Sequence, residues 1–415
     1  MTETKSSPDK ITIDMINFDE SNIPSMIRSK IGKNLHQNPN HPIGIIKNLV
    51  YNYFKLIPNK KFETYDNMSP IVTTNDNFDS LLIPKNHPAR SKSDTYYIND
   101  RCVLRTHTSA HQNQLLSKGI TSFLVTGDVY RKDEIDSTHY PVFHQMEGVF
   151  VDANETNPVS NIETDLIDTL KGLCNHLFPN CPVKISDDYF PFTQPSYQID
   201  VYHNDRWIEI LGCGVIHEQL LKNCSEKNPA LISSNNSVKK GWAFGIGLDR
   251  LALILFDIPD IRMIWVESEK FTKQFSLVNT ITKFKPYSLL ETIHKDVSFY
   301  IQSDQVKENP STKIENVERF TDKKSGVIRI WSRENDMCET IRESANKVCP
   351  DIVSKVEMFD QFYNNKLSKL SRAYRIYYSP PDPEMIDPGQ FTIFVNKLHA
   401  DIAHDLNKAL NVEIR

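Results

Sequence analysis

Residues 241–250, Gly-Trp-Ala-Phe-Gly-Ile-Gly-Leu-Asp-Arg, most limit what this chain can fold into. They read as a strand that enters a helix, with Arg250 in the helix's first turn and the apolar run Leu251-Ala-Leu-Ile-Leu255 behind it. Gly245 and Gly247 let a backbone or a ligand approach closely. They are not a dinucleotide fingerprint, because Arg250 stands at the third glycine position and no strand–helix–strand frame surrounds it. A second stretch reads as two strands joined by a polar loop. Gly127-Asp-Val-Tyr-Arg131 leads in, residues 132–141 form the loop, and Phe143-His-Gln-Met-Glu147-Gly148 leads out. Two fixed arginines, Arg131 and Arg250, beside a polar sheet face suit a site that clamps a polyphosphate.

Further strands accompany these. Tyr197–Tyr202 and Trp207–Leu211 flank the polar turn 203–206 as a hairpin, Gly212-Cys-Gly214 ends the second strand, and a short helix follows. The segments 70–74, 80–84 and 101–105 read as short strands. Helical spacing marks a helix from Pro42 (Ile43, Ile46, Leu49, Val50, Tyr53, Phe54) and another over 161–178. Antiparallel strands with peripheral helices, lacking a regular βαβ alternation, predict an α+β fold. A linker is expected at 272–290. Beyond it come a strand at 295–301, a helix through Met337, Ile341, Ala345 and Val348, strands at 357–359 and 372–378, a helix from Asp387-Pro388 to about Leu410, and a last strand at 412–414. That is the order of a split βαβ, ferredoxin-like unit. The boundaries read as a polar extension 1–30, a first domain 31–271 and a second domain 291–415, with an insertion near 303–333.

Bulk properties exclude some classes. With a net charge of -5 there is no global basic field, so an RNA partner would meet local patches. Seven scattered cysteines without a CxxC pair point to a reducing compartment and away from a zinc site. No apolar run approaches the roughly 20 residues that span a bilayer. The first ten residues read as disordered and have neither a secretory core nor a transit-like composition.

Along 142–151, Phe143, Gln145 and Glu147 share one face. An amide and a carboxylate beside a ring are costly to bury unless something bonds them. An ammonium group is a good partner for Gln145 and Glu147, and Phe143 can stack on a purine; a solvent-facing strand fits the same pattern. The polar run Thr106-His107-Thr-Ser109-Ala-His-Gln112 can anchor a carboxylate or an ammonium, with a helix cap by Thr108 or Ser109 as a second role. Phe190-Pro-Phe192 can line an apolar ring pocket, although core packing is the commoner fate of such a pair. Gly212-Cys213-Gly214 offers a small pocket floor, and Glu209 a ligand for Mg²⁺ on a triphosphate.

Together His107-Thr-Ser109, Phe143-His-Gln-Met-Glu147-Gly, Phe190-Pro-Phe192, Gly212-Cys-Gly214 and the stretch 241–250 resemble the class II aminoacyl-tRNA synthetases, and among them the single-chain mitochondrial phenylalanyl-tRNA synthetases. The resemblance runs from about residue 30 to Arg415 and implies an antiparallel-sheet catalytic domain followed by a ferredoxin-like anticodon-binding domain. It implies the substrates ATP, phenylalanine and tRNA(Phe), with Mg²⁺ as cofactor. Arg131 would orient the α-phosphate, with Phe143 and Arg250 on the two sides of the adenine. Asp133, which stands where bacterial relatives usually carry glutamate, Thr138 and Glu209 would complete the ATP site. His107, Ser109, Gln112, Gln145 and Glu147 would hold the amino and carboxylate groups of phenylalanine, with Phe190, Phe192, Cys213, Gly214 and Phe244 around its ring. A pocket without a buried polar partner for a ring hydroxyl predicts weak misuse of tyrosine.

From residue 285 onward 19 Lys/Arg face 20 Asp/Glu, so the second domain has no general electrostatic footprint. Lys366, Lys369, Arg372 and Arg375, with Tyr374, form a local basic and aromatic cluster suited to anticodon bases; a strand edge guarded by lysines reads the same way. The family type implies a monomer in the mitochondrial matrix. The N-terminal composition leaves the cytoplasm as the other address. The alternative function is a synthetase-like RNA-binding protein without catalysis, against which Arg131, Glu147 and Arg250 speak.

Overall fold

The almost continuously buried strands Ser122–Tyr130 and Val142–Val151 pair within a seven-stranded sheet in a computed structural model that describes residues 21–154, 158–275, 280–286, 292–309, 319–322, 325–380 and 390–415. Its strand order is Glu63–Tyr65, Ser122–Tyr130, Val142–Val151, Gly241–Gly247, Arg206–Ile216, Thr193–His203, Val183–Asp188. The first two run parallel and all other neighbours antiparallel. The hairpin turn works because Asn204 and Asp205 take positive φ (50° and 60°), as a two-residue turn between twisted strands requires.

Register decides what each face does. Gln145 lies opposite Gly247, Glu147 opposite Gly245, and Gly245 opposite Gly212. Opposed residues share a face and neighbours alternate. One face therefore carries Phe143, Gln145, Glu147, Ala243, Gly245, Gly247, Gly212 and Gly214; the other carries His144, Gly148, Trp242, Phe244 and Cys213. This second face packs under the helices Pro42–Lys55 and Ile162–Leu177. Phe54 stacks on Phe244 at 5.4 Å, and the Trp242 indole donates to Asp165 Oδ2 at 2.7 Å. Both helices begin on a side-chain cap: the His41 ring accepts from Ile43 N–H, and Asn161 accepts from Glu163 and Thr164.

Contacts divide the chain into two compact units, the first holding Ile31–Arg131 and Val142–Leu251, the second Pro24–Lys30, Lys132–Pro141 and Ala252–Arg415. In the second, four antiparallel strands run in the order Val353–Asn364, Lys369–Tyr378, Ile293–Ile301, Glu413–Ile414. Two helices, Glu334–Asn346 and Phe391–Leu410, enter between them in the chain, which gives the ferredoxin-like order. The core between sheet and helices includes Phe299, Ile341, Tyr374, Ile376, Leu398 and Ile402. The loop 132–141 belongs to this unit: Ile135 joins its core, Arg342 donates to the carbonyls of Asp133 and Glu134 (3.0 and 3.2 Å), and the Tyr140 hydroxyl donates to Asp351 at 2.8 Å.

Several elements differ from the sequence reading. The segment 80–84 is not a strand: Asp79–Leu81 is a 3-10 turn, and Leu82 has a positive φ of 59°. The strand expected to stop at Gly212-Cys-Gly214 runs on to Ile216. Neither Thr108 nor Ser109 caps the helix Gln112–Ser117, which starts without a side-chain cap. Val348 lies beyond the end of its helix and is exposed. Part of the expected linker packs, with Phe275 edge-on to Phe256 at 5.3 Å. Between residues 303 and 333 the described residues form a small sheet of Lys307–Glu308, Arg319–Thr321 and Ile328–Ile330. The extreme N-terminus and the Asp387-Pro388 helix start lie outside the described residues.

A Cβ at Gly148 would fall 2.1 Å from Phe244 Cε1. The ring is wedged against Phe54, so Gly148→Ala is expected to destabilise the chain by about 1–3 kcal/mol. A lowered unfolding midpoint checks this, and an unchanged midpoint contradicts it.

Candidate active site

Three polar side chains on or beside the open face carry buried atoms without a hydrogen-bond partner. Glu147 Oε2, Gln145 Oε1 and both amide atoms of Gln112 are buried with no hydrogen bond among the described residues. Buried polar groups are nearly always bonded, so a group of orphans calls for a polar ligand. The 3-10 turn Thr108–His111 brings Ser109 to Glu147. Burial pushes the Glu147 carboxyl up to about 8, and the Ser109 hydrogen bond pulls weakly the other way. Across the register, the space over Gly245 and Gly247 is open: a Cβ at either would meet nothing within 4 Å.

Apolar and cationic groups flank these orphans. Phe190 and Phe192 stack at 5.9 Å, and the Phe192 ring lies 6.4 Å from the His107 ring. Phe190 covers Gly212, where a Cβ would come within 2.6 Å of its ring. The guanidinium of Arg131 sits 5.2 Å from the centre of the Phe143 ring, and its Nε donates to the Thr106 carbonyl at 2.6 Å. Burial, and then Arg131, lower the His107 pKa to about 3, so this ring is neutral at physiological pH. Arg250, in the first turn of Leu248–Phe256, reaches Glu209 at 3.5 Å, with both side chains about half exposed (44% and 52%). The preceding residue, Asp249, is buried and bonds the backbone N–H of His144 at 2.5 Å and its ring at 3.1 Å. This ties the Phe143 strand to the Arg250 helix.

The structure thus brings together His107, Ser109, Gln112, Arg131, Phe143, Gln145, Glu147, Phe190, Phe192, Gly214, Glu209 and Arg250 on elements bordering one sheet face. Phe244 and Cys213 are corrections. Strand alternation turns both to the opposite face, where Phe244 fills the core against Phe54 and Cys213 is buried. The flanking Gly212 and Gly214, with Ala243, form the small-residue floor instead. Ala243 and the Asp249–His144 tie were missed, although the odd-numbered positions of 241–247 already marked Ala243 as sharing the glycines' face. Asp133 and Thr138 lie in the 132–141 loop of the second unit, where the Thr138 hydroxyl donates to Asp136 at 2.9 Å. Among the described residues the clustered metal-type donors are Glu134, Asp136 and His139, and Glu209 is not one of them.

In the second unit the basic cluster divides by the same alternation. Arg372 and Tyr374 point inward, and Arg372 is fully buried against Glu334 at 3.0 Å. Arg372 is therefore a core residue and not a surface one. Arg375 points outward on a two-pronged bond to Asp296 (2.7 and 2.9 Å), Lys369 bonds Glu413 at 2.6 Å, and Lys366 is exposed. Rings interleave with cations on the outer face: Arg415 lies 5.1 Å from Tyr300 and 5.0 Å from Phe362, and Arg375 5.1 Å from Phe359.

The raised Glu147 pKa has a measurable consequence. Between its ordinary value of 4.5 and about 8 the folded chain holds a proton that the unfolded chain has lost. Stability from this group is full below pH 4.5 and falls as pH rises through about 8. Glu147→Gln is expected to flatten that part of the stability–pH curve; an unchanged slope contradicts the assignment.

Residues 28–275 match the family model described as the tRNA synthetases class II core domain (F). The chain is 43% identical over 401 residues to the chloroplastic/mitochondrial phenylalanine–tRNA ligase of Arabidopsis thaliana, covering 95% of this chain and 83% of the relative. It is 35% identical to the mitochondrial phenylalanine–tRNA ligase of Dictyostelium discoideum (99% and 93% covered) and 38% identical to that of Mus musculus (87% and 79% covered). With the α+β antiparallel sheet, the motif arginines and this kinship along nearly its whole length, the chain belongs to the phenylalanine–tRNA ligase family of class II aminoacyl-tRNA synthetases.

Proposed function

We propose that the open face of the first unit activates phenylalanine with ATP and then passes the phenylalanyl group to the 2′-hydroxyl of the terminal adenosine of tRNA(Phe). The unpartnered polar atoms of Gln112, Gln145 and Glu147 beside the Phe190–Phe192 pair carry this reading. They match an amino acid with an apolar ring: the ammonium bonds Glu147 and Gln145, Ser109, Gln112 and His107 complete its polar end, and the ring lies against Phe190 and Phe192 over the Ala243–Gly214 floor. Arg131 takes the α-phosphate with a fork already oriented by the Thr106 carbonyl. Phe143 and Arg250 hold the adenine.

The amino acid supplies the nucleophile. A carboxylate oxygen of phenylalanine attacks the α-phosphorus in line, the bond to the bridging oxygen breaks, and pyrophosphate leaves. Next, the 2′-hydroxyl oxygen attacks the phenylalanyl carbonyl carbon, AMP departs, and the hydroxyl proton is released. The chain contributes positioning and charge stabilisation. Mg²⁺, when bound, neutralises phosphate charge. The half-exposed Glu209 carboxylate would be the chain's oxygen ligand to that ion. Lys366, Lys369 and Arg375, with the outer-face rings, are proposed to meet the anticodon; Arg372 supports them from the core. The mitochondrial names of the relatives support a mitochondrial address, and the enzyme is proposed to act as a monomer.

Pyrophosphate exchange across the twenty amino acids tests the reading. Phenylalanine is expected to support exchange, tyrosine weakly, and Arg250→Ala to reduce it by about 10²–10³-fold. Exchange with a different amino acid overturns the pocket assignment, and none with any overturns catalysis. Titration calorimetry at pH 7 in buffers of differing ionisation enthalpy adds a second check. Pairing with an ammonium ionises Glu147 below its pKa of about 8, so phenylalanine binding should release a proton. Glu147→Gln should release none.

A further inference from the structure

No sequence motif points to Asn77, yet it touches the support of both anchors at the polar end of the site. It ends the short helix Thr74–Asn77 and is fully buried. Its amide clasps Thr106 at two points: Oδ1 accepts the Thr106 N–H at 3.0 Å, and Nδ2 donates to Thr106 Oγ1 at 2.9 Å. The Thr106 carbonyl in turn accepts Arg131 Nε at 2.6 Å. The residue after Thr106 is His107, so the clasp fixes the backbone from which that ring projects. An amide fits this place because it offers one donor and one acceptor side by side, matching a hydroxyl and an N–H on a single residue.

We infer that Asn77 is a positioning residue for adenylate formation, acting through Thr106 on the aim of the Arg131 guanidinium. This rests on the assignment of Arg131 to the α-phosphate. The Arg131 guanidinium is bonded at Nε to that carbonyl and lies 5.2 Å from the centre of the Phe143 ring, so a shift of the carbonyl moves the edge from which the guanidinium is aimed. Thr106 is buried, and without the clasp both its N–H and its hydroxyl lose their partner, so the segment must shift to find new ones. A displacement of this kind costs rate more than affinity, because the α-phosphate contact tightens in the transition state.

The test is a double-mutant cycle on the full chain, read by phenylalanine-dependent pyrophosphate exchange well below each variant's unfolding midpoint. Asn77→Ala is expected to lower kcat by about 10–100-fold while KM for ATP and for phenylalanine each stays within about threefold. In an Arg131→Ala background the same change should cost less than about threefold, because the group it aims is gone. Should Asn77→Ala not fold, Thr106→Val removes the hydroxyl half of the clasp and runs through the same cycle, with a several-fold kcat loss expected when Arg131 is present and none when it is absent. Losses that multiply in the two backgrounds, or that fall in KM alone, overturn the inference and leave the Arg131 assignment standing. Exchange unaffected by Arg131→Ala overturns both.

Discussion

The antiparallel register between Val142–Val151 and Gly241–Gly247 is the constraint on which the rest of the first unit depends. It sets Gln145 against Gly247 and Glu147 against Gly245. Polar side chains on one strand thus face bare backbone on the next, and the missing side chains leave room for a ligand. A slip of one residue would exchange the faces. Gln145 and Glu147 would then enter the aromatic core beneath Pro42–Lys55, and Phe244 would enter the site. The many well-packed rings on the covered face, among them Phe54, Phe62, Phe150, Trp242 and Phe244, make such a slip expensive. Packing on one side of the sheet therefore protects chemistry on the other.

Three arginines of the first unit differ in exposure and in how fully they are bonded. Arg105 is fully buried, paired with Asp128 at 3.1 Å and bonded to His111 at 2.8 Å and to the carbonyls of Asp128 and Met68. Every bond ties backbone or buried side chains together, and Gly127 has no side chain because a Cβ there would fall 1.9 Å from Arg105 Nη2. This is a structural cation, strongly desolvated and fully paired. Arg131 is half-buried, fixed at Nε through the Thr106 carbonyl and lying over the Phe143 ring. Arg250 is exposed and joined to Glu209 at a distance too long for a strong bond, so exchanging that partner for a phosphate or a base costs little.

Much of this was legible in the sequence, and the errors have one physical origin. The central strands, the strand-to-helix passage at 241–256, the hairpin and the ferredoxin-like order could be read because alternation and helical spacing are strong there. So could the shared face of Gln145 and Glu147, since strand alternation sends residues two apart to the same side. Cys213, Phe244 and Arg372 were misplaced because nearness along the chain was allowed to stand for nearness in space. A strand sends neighbours to opposite faces, so Cys213 cannot line the floor made by Gly212 and Gly214, and Arg372 cannot share a surface with Arg375. The stop expected at Gly214 failed for a related reason: glycines here clear space for Phe190 and Thr193 within a continuing strand.

Asn77 and Asp249 were beyond sequence reasoning in a different way. Each is a small polar residue whose partner lies far along the chain, Thr106 for one and His144 for the other, and no local period marks a residue whose role is to hold another backbone. Both do the same physical work. They give a buried N–H a fixed acceptor beside a residue that borders the open face: Thr106 precedes His107, and His144 follows Phe143. The alternative for such an N–H in a dry interior is an unpaired donor, which costs about 1–3 kcal/mol, so the backbone stays where the side chain puts it. A site whose chemistry is positioning needs its rigidity in the backbone, because a flexible side chain can aim no better than the chain that carries it.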